Sequence, residues 1–366
     1  MGHSLRRARP AILLAFQISL VAALAAGIRA QDSGVVMRFA VSGDSRNCGD
    51  VVMPGIAAKV LADHAVFYWH LGDFRKISDF DEDMQHEPEH LAKPLAIIDY
   101  LALAWPDFID NQLVPFGSLP VFLGLGNHET VPPKTRQDLI PQIADWLDAP
   151  VIREQRLRDD PNDHLLKTYY HWIMNGVDFI TLDNATTDQF DHAQIAWFEK
   201  VLTRDESNPE ILTIVVGMHE ALPDSISAGH SMNESSAGTD SGRRVYSDLL
   251  RAQNESNKHV YILASHSHYY MDNIFNTQYC KTHGGVLPGW IIGTAGAVRY
   301  ALPDKASDAR AAMTNVYGYL LASVYAGGEI HFDFVKLNES DIPVTVVSRF
   351  TPEFVHWCFA ENSSAH

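Results

Sequence analysis

The chain has 366 residues, 46% of them hydrophobic and 20% charged, with 45 acidic against 28 basic side chains and a formal net charge of -17 at pH 7. That apolar fraction supports a full core without cross-links, and three cysteines exclude a scaffold built on disulfides. The acidic balance argues against duplex nucleic acid and anionic membrane surfaces as partners, because both are held by clustered Lys and Arg.

Residues 1–30 read as a secretory signal. Arg6, Arg7 and Arg9 precede an apolar stretch from Ala11 to Gly27, and Ile28-Arg29-Ala30 supplies a cleavage site before Gln31. The stretch contains Gln17 and Ser19 and falls short of the ~20 residues of a spanning helix. A periplasmic or extracellular protein without stable membrane insertion is therefore expected. Cleavage would remove four arginines and no acids, taking the net charge to -21. Residues 31–366 contain neither an internal repeat nor a Pro/Ser-rich linker and read as one domain; the oligomeric state is open.

Five apolar runs then read as strands that turn polar as they end. They are Phe39 to Arg46, Phe67 to Asp73, Val121 to Glu129, Ile211 to Glu220 and Val260 to His268. Helical candidates alternate with them near Val52 to His64, His90 to Phe108, Arg136 to Leu147, His192 to Arg204 and Arg243 to Gln253. Strands predicted at Gly289 to Thr294, Tyr317 to Tyr325, Glu329 to Leu337 and Ile342 to Arg349 follow in close succession. Alternation followed by crowded strands indicates an α/β architecture with a second sheet.

The run ends carry Asp44, Asp73, Asn127, His219, His266 and His268. Ligands in open α/β sheets bind beyond the carboxyl ends of strands, so these loops can share one crevice. Hard oxygens mixed with imidazole nitrogens suit Fe, Zn or Mn better than Ca or a sulfur-bound metal. Singly, each motif has an ordinary reading: Gly-Asp and Asn-His as turns, His219 as a satisfied polar group, His266 and His268 as neighbours on one strand face. Coincidence at five strand ends distinguishes a site from turns.

The blocks Gly43-Asp44, Gly72-Asp73, Gly126-Asn127-His128-Glu129, Gly217-Met218-His219 and Ser265-His266-Ser267-His268 occur in order across roughly residues 35–335. This pattern resembles the calcineurin-like metallophosphoesterase superfamily, which includes the purple acid phosphatases. The resemblance implies a four-layer helix-sheet-sheet-helix sandwich with two mixed β-sheets. It also implies two divalent or mixed-valence metal ions bridged by Asp73, one held by Asp44, Asp73 and His268, the other by Asp73, Asn127, His219 and His266. His128 would ligate neither and would assist the leaving group. The implied activity is hydrolysis of a small phosphorylated substrate by metal-bound hydroxide, with a monoester favoured over a diester. Two alternatives stay open: a phosphodiesterase acting on nucleotides or lipid head groups, and a catalytically degenerate phosphate-binding protein.

The chain departs from the family pattern at two positions. Many relatives have a His two residues after the first Asp, and purple phosphatases have a Tyr three residues after the bridging Asp; here these are Arg46 and Lys76. Guanidinium does not ligate metals but suits a pair of phosphate oxygens, so Arg46 reads as a substrate clamp rather than an idle surface arginine. His70 reads as a structural hydrogen-bonding group beneath the site, and His230 as an exposed loop histidine. Ser78 to Glu89 and Ala221 to Gly242 read as insertions near the crevice mouth, either lids or solvated surface. Among the cysteines, Cys280 to Cys358 is the preferred bridge, because Cys48 lies beside Asp44.

Overall fold

In the computed structural model, which describes residues 34–364, the strands in chain order are Val35–Ser42 (β1), Tyr68–His70 (β2), Val121–Leu123 (β3), Tyr170–Met174 (β4), Val177–Thr181 (β5), Thr213–Gly217 (β6), His259–Ala264 (β7), Tyr270–Asp272 (β8), Gly289–Ile292 (β9), Ala312–Met313 (β10), Tyr317–Tyr325 (β11) and Ile330–Leu337 (β12). The signal assigned to residues 1–30 lies outside the described residues. One sheet has the order β12-β11-β1-β2-β3 and the other β10-β8-β9-β7-β6-β5-β4. Strands β1 to β3 are mutually parallel, as are β5, β6, β7 and β9, while β4, β8, β11 and β12 pair antiparallel. Parallel pairing needs crossovers. Gly49–Ala62 (α1), Ile97–Phe108 (α2), Pro150–Asp159 (α3), His192–Ser207 (α4) and Ser236–Glu255 (α5) occur in the connections between strands.

Side-chain alternation sorts the apolar residues into two cores. Phe179, Val215 and Leu263 point between the sheets, where they join Phe39, Phe67 and Trp69 from the five-stranded sheet. Their neighbours Ile180, Val216 and Ile262 point the other way, against Phe198 of α4 and Leu249 of α5. Aromatic rings bridge the two sheets: Phe39 meets Phe179 edge-on at 5.0 Å and Trp69 meets Trp172 at 5.1 Å. Removing one such fully buried ring would cost ~3–5 kcal/mol. Helix α1 packs on β11 and β12, completing the helix-sheet-sheet-helix order that the motif pattern implied. No helix among the described residues is long and apolar enough to cross a membrane.

Several boundaries differ from expectation. The β-branched run predicted as a strand from Ile342 to Arg349 is instead a helix, Val344–Phe350 (α6), followed by Pro352–Ala360 (α7). Phe350 is buried, Val344 lies in solvent, and Arg349 pairs with Glu87, so tertiary packing outweighs strand propensity here. Helix α5 begins at Ser236, capped by the Ser235 hydroxyl, which accepts the Gly238 N–H over 2.8 Å. Gly238 and Gly242 lower its helix propensity, which hid the first turns; Gly242 is required because Pro223 packs against its Cα. The span predicted from Arg136 to Leu147 is two short turns, Arg136–Leu139 and Ala144–Leu147, and α3 was not foreseen.

The disulfide joins Cys48 to Cys358, with Cα atoms 6.0 Å apart, and Cys280 is a buried free thiol. The expected Cys280–Cys358 bridge fails because the partners occupy different cores. Cys280 packs behind the seven-stranded sheet, whereas α7 carries Cys358 into the core shared with Cys48.

Candidate metal centre

The carboxyl ends of β1, β2, β3, β6 and β7 deliver Asp44, Asp73, Asn127, His219, His266 and His268 to one place. Three of these residues hold left-handed backbone, Asp44 at φ 61°, Asp73 at φ 60° and His266 at φ 64°. Such conformers persist in non-glycine residues only where surroundings enforce them, and they concentrate at functional sites. The enforcement is visible: Gly72 O accepts the Asp44 N–H and Asp73 O accepts the Ser45 N–H, both at 2.9 Å. The loops of Gly72 and Gly126 touch back to back, and a Cβ on Gly126 would collide with the Asp73 carboxylate. Glycine therefore permits the close approach of two ligand loops.

Two donor sets share Asp73. In the first, Asp44 Oδ1 lies 3.3 Å from His268 Nε2. In the second, His219 Nε2 lies 3.4 Å from Asp73 Oδ1 and 3.0 Å from His266 Nδ1. The ring tautomers suit ligation: His219 Nδ1 donates to Leu71 O at 2.9 Å and His268 Nδ1 to Val298 O at 2.6 Å, leaving both Nε2 lone pairs directed inward. Asp44 Oδ1, Asp73 Oδ2 and Asn127 Oδ1 are buried acceptors without a hydrogen-bond donor. Each such atom costs ~1–3 kcal/mol when left unsatisfied, and orphaned oxygens within and beside the two donor sets fit a cation.

Local electrostatics agree with that fit. Burial, reinforced by the neighbouring imidazole of His219, pushes the His266 ring well below the ordinary histidine range. Burial and then the Arg46 charge do the same to His268. Both rings are thus neutral, as ligands must be. Burial also pushes the Asp44 carboxyl up to about 7. For Asp73, burial acts upward, but His219, His128 and Arg46 together hold it below the usual carboxylate range.

Arg46 is 9% exposed and points into the site. Its Nη2 donates to His268 Nε2 at 2.9 Å, its Nη1 donates to His128 Nε2, and its Nε lies 3.5 Å from Asp73 Oδ2. Burial would lower its pKa, but Asp73 and Asp44 outweigh this and raise it, so the group is always charged. An idle surface arginine is ruled out by this placement. His128 Nδ1 meets Lys76 O, which fixes its ring, while the Lys76 amine turns away to Asp79 at 3.2 Å. Lys76 thus takes part through its backbone alone.

Glu129, to which the motif pattern assigns no role, joins two loops. Its Oε2 accepts the N–H of Asp73 at 2.8 Å and of Gly126 at 2.6 Å, and its Oε1 accepts that of Phe74 at 2.8 Å. Burial and then the Asp73 charge push its carboxyl up to about 8, against these three donors. His70 has the structural role expected of it, accepting the Gly72 N–H at Nδ1 and donating from Nε2 to Ser45 at 3.0 Å. Tyr300 had no sequence signal; its ring stacks on His268 at 4.0 Å and on His230 at 5.5 Å. His230, half exposed, also meets the His266 ring at 5.7 Å, so it stands at the rim rather than away from the site.

The segment from Ser78 to Glu89 is not solvated surface. Asp81 and Asp83 are fully buried, Asp81 accepting the Asn47 N–H at 2.6 Å and Asp83 pairing with the buried Arg75 at 3.0 Å. It braces the Arg46 loop.

No known protein family's sequence profile matches the chain, and no curated protein matches it in sequence. Solved structures do. A purple acid phosphatase from yellow lupin (Lupinus luteus) seeds aligns with a TM-score of 0.54 at 16% identity, covering 82% of this chain and 51% of that one. A structure of PhoD aligns at 0.49 and 13% identity, covering 82% and 68%, and GAP50, the anchor in the inner membrane complex of Plasmodium, at 0.45 and 10%, covering 90% and 96%. The chain spans about half the length of the lupin phosphatase. The lupin alignment and the two-sheet architecture agree with the motif pattern: this chain has the calcineurin-like metallophosphoesterase fold.

Proposed function

We propose that the chain is an exported, metal-dependent hydrolase of phosphate monoesters. The observation that carries the reading is the meeting of Asp44, Asp73 and His268, and of Asp73, His219 and His266, as two donor sets, with Asn127 on the loop that touches Asp73 and with the buried Asp44 Oδ1 and Asn127 Oδ1 left without donors. A bound Fe, Zn or Mn ion would supply Lewis acidity toward a phosphoryl oxygen and lower the pKa of a water molecule.

The chain's own groups supply the rest. Lys76 O fixes His128 by its Nδ1, so Nε2 is the atom that faces the site, where it accepts from Arg46; a proton on Nε2 of the doubly protonated ring is the one that can pass to the leaving alcohol. Arg46 offers the planar fork that matches two phosphate oxygens. Tyr300 and His230 wall the rim beside His268 and His266. The Cys48–Cys358 bridge supports export, since disulfides persist in oxidising compartments. Amino-terminal sequencing of the secreted protein should begin near Gln31.

Hydrolysis of p-nitrophenyl phosphate against bis-p-nitrophenyl phosphate by the metal-loaded protein tests the activity. Faster release from the monoester is expected; preference for the diester makes the chain a phosphodiesterase. One observation favours a second reading, a phosphate-binding protein without turnover: the Arg46 donor already engages His128 Nε2. Phosphate binding with neither ester hydrolysed would establish that reading.

A further inference from the structure

Resting on the metal-dependent reading, we propose that this centre takes a single metal ion, at Asp73, Asn127, His219 and His266, and that the Arg46 guanidinium permanently occupies the place of the other. The placement is specific. The inward atoms of the first set are Asp44 Oδ1, Asp73 Oδ2 and His268 Nε2, and Arg46 addresses two of them, donating to His268 Nε2 at 2.9 Å and facing Asp73 Oδ2 at 3.5 Å. A cation seated among these atoms would displace that hydrogen bond and stand beside a fixed positive charge. The ring nitrogens of the second set meet no such cation: His219 Nε2 and His266 Nδ1 hydrogen-bond to each other at 3.0 Å, a neutral contact that ligation replaces without leaving a fixed charge beside the ion, and Asn127 Oδ1 has no donor.

Charge balance argues the same way. Asp44 and Asp73 are the only carboxylates among the six metal-set residues. Guanidinium neutralises one of them, leaving charge for a single divalent ion plus the surplus that attracts a phosphate dianion. Arg46 is also braced so that it cannot leave easily. Asn47, next in sequence, is held by Asp81 through its N–H at 2.6 Å and through its side chain by Glu82 at 2.5 Å, and Cys48 is tied to Cys358. Buried guanidinium paired with carboxylates retains its proton at any working pH, so this cation is neither titrated nor chelated away.

Counting metal decides the matter. Metal-free protein titrated calorimetrically with Mn(II) or Zn(II), with elemental analysis after gel filtration, should bind one ion per chain. His219→Ala or His266→Ala should abolish binding, whereas His268→Ala should leave the stoichiometry at one. Arg46→His and the neutral Arg46→Met should each raise it to two, the histidine variant with the tighter second site. Two ions bound by the unaltered protein would overturn the single-metal inference and leave the phosphoesterase reading intact. One ion in both Arg46 variants would overturn the claim that the arginine excludes a metal. No ion bound at all would overturn both this inference and the metal-dependent reading.

Discussion

Glu129 Oε2 accepts the backbone N–H of Asp73 over 2.8 Å, so the carboxylate of one strand-end loop fixes the backbone of the residue that both donor sets share. Asp73 sits at φ 60°, a conformation that needs such a restraint. Groups that orient metal ligands commonly change affinity by ~10–100-fold when removed. Glu129→Gln, which cannot accept from Asp73, Phe74 and Gly126 together, should weaken Zn(II) or Mn(II) binding by about that factor. Competition against a chromogenic chelator measures it. Unchanged affinity would mean that the loop holds its shape without Glu129.

His128 contacts neither the first nor the second donor set through its ring nitrogens; they meet Lys76 O and Arg46. His128→Ala should therefore retain its metal and lose kcat by ~10²–10⁴-fold, with a smaller change in KM. Loss of metal content in this variant would assign His128 to ligation instead.

Cys48 lies two residues from Arg46, and its bridge closes a loop of 310 residues. Replacing both Cys48 and Cys358 with serine should cost ~2–5 kcal/mol of unfolding free energy, read from denaturant titration. Because Cys48 anchors the Arg46 loop, phosphate affinity should fall in the same variant. A stability loss without any change in phosphate affinity would separate the bridge from the site.

His171 lies away from the metal centre and makes a pH prediction. Burial alone would lower its pKa, but Asp178, 2.7 Å from Nδ1, and Asp159, 2.5 Å from Nε2, raise it to about 9. Its folded value exceeds the unfolded one, so its stabilisation is complete below the unfolded value of 6.5 and is lost as pH rises through about 9. The loss over that window is on the order of 3 kcal/mol. Asp205, which burial and then Asp178 push up to about 9, adds to the decline in the same direction. Thermal midpoints should fall from neutral pH to about pH 10, and less so in His171→Gln. Equal slopes in both proteins would remove His171 from the effect.

The candidate site was legible because its chemistry is local in sequence. Asp44, Asp73, Asn127, His219, His266 and His268 each follow a strand within a few residues, and strand ends must converge in this sheet arrangement. A second sheet was legible in the closely spaced runs Tyr317 to Tyr325 and Glu329 to Leu337, which are strands, while the helix-sheet-sheet-helix order came from the motif resemblance. What escaped depends on packing between distant segments. Tyr300 reaches His268 only once the fold closes, and Cys358 reaches Cys48 across 310 residues. Val344–Phe350 reads as a strand by composition and becomes a helix because Phe350 is buried. Ser78 to Glu89 reads as either a lid or solvated surface because its acids are polar, yet Asn47 and Arg75 draw Asp81 and Asp83 inward.

Metal dependence is the claim on which the account stands, and a paired measurement of metal content and turnover tests it. Protein stripped by chelation to undetectable Fe, Zn and Mn should not hydrolyse p-nitrophenyl phosphate, and adding back one of these ions should restore activity in proportion to the ion bound. Asp73→Asn, which removes the charge shared by both donor sets, should neither retain metal nor recover. Full turnover in protein measured free of metal would contradict the account.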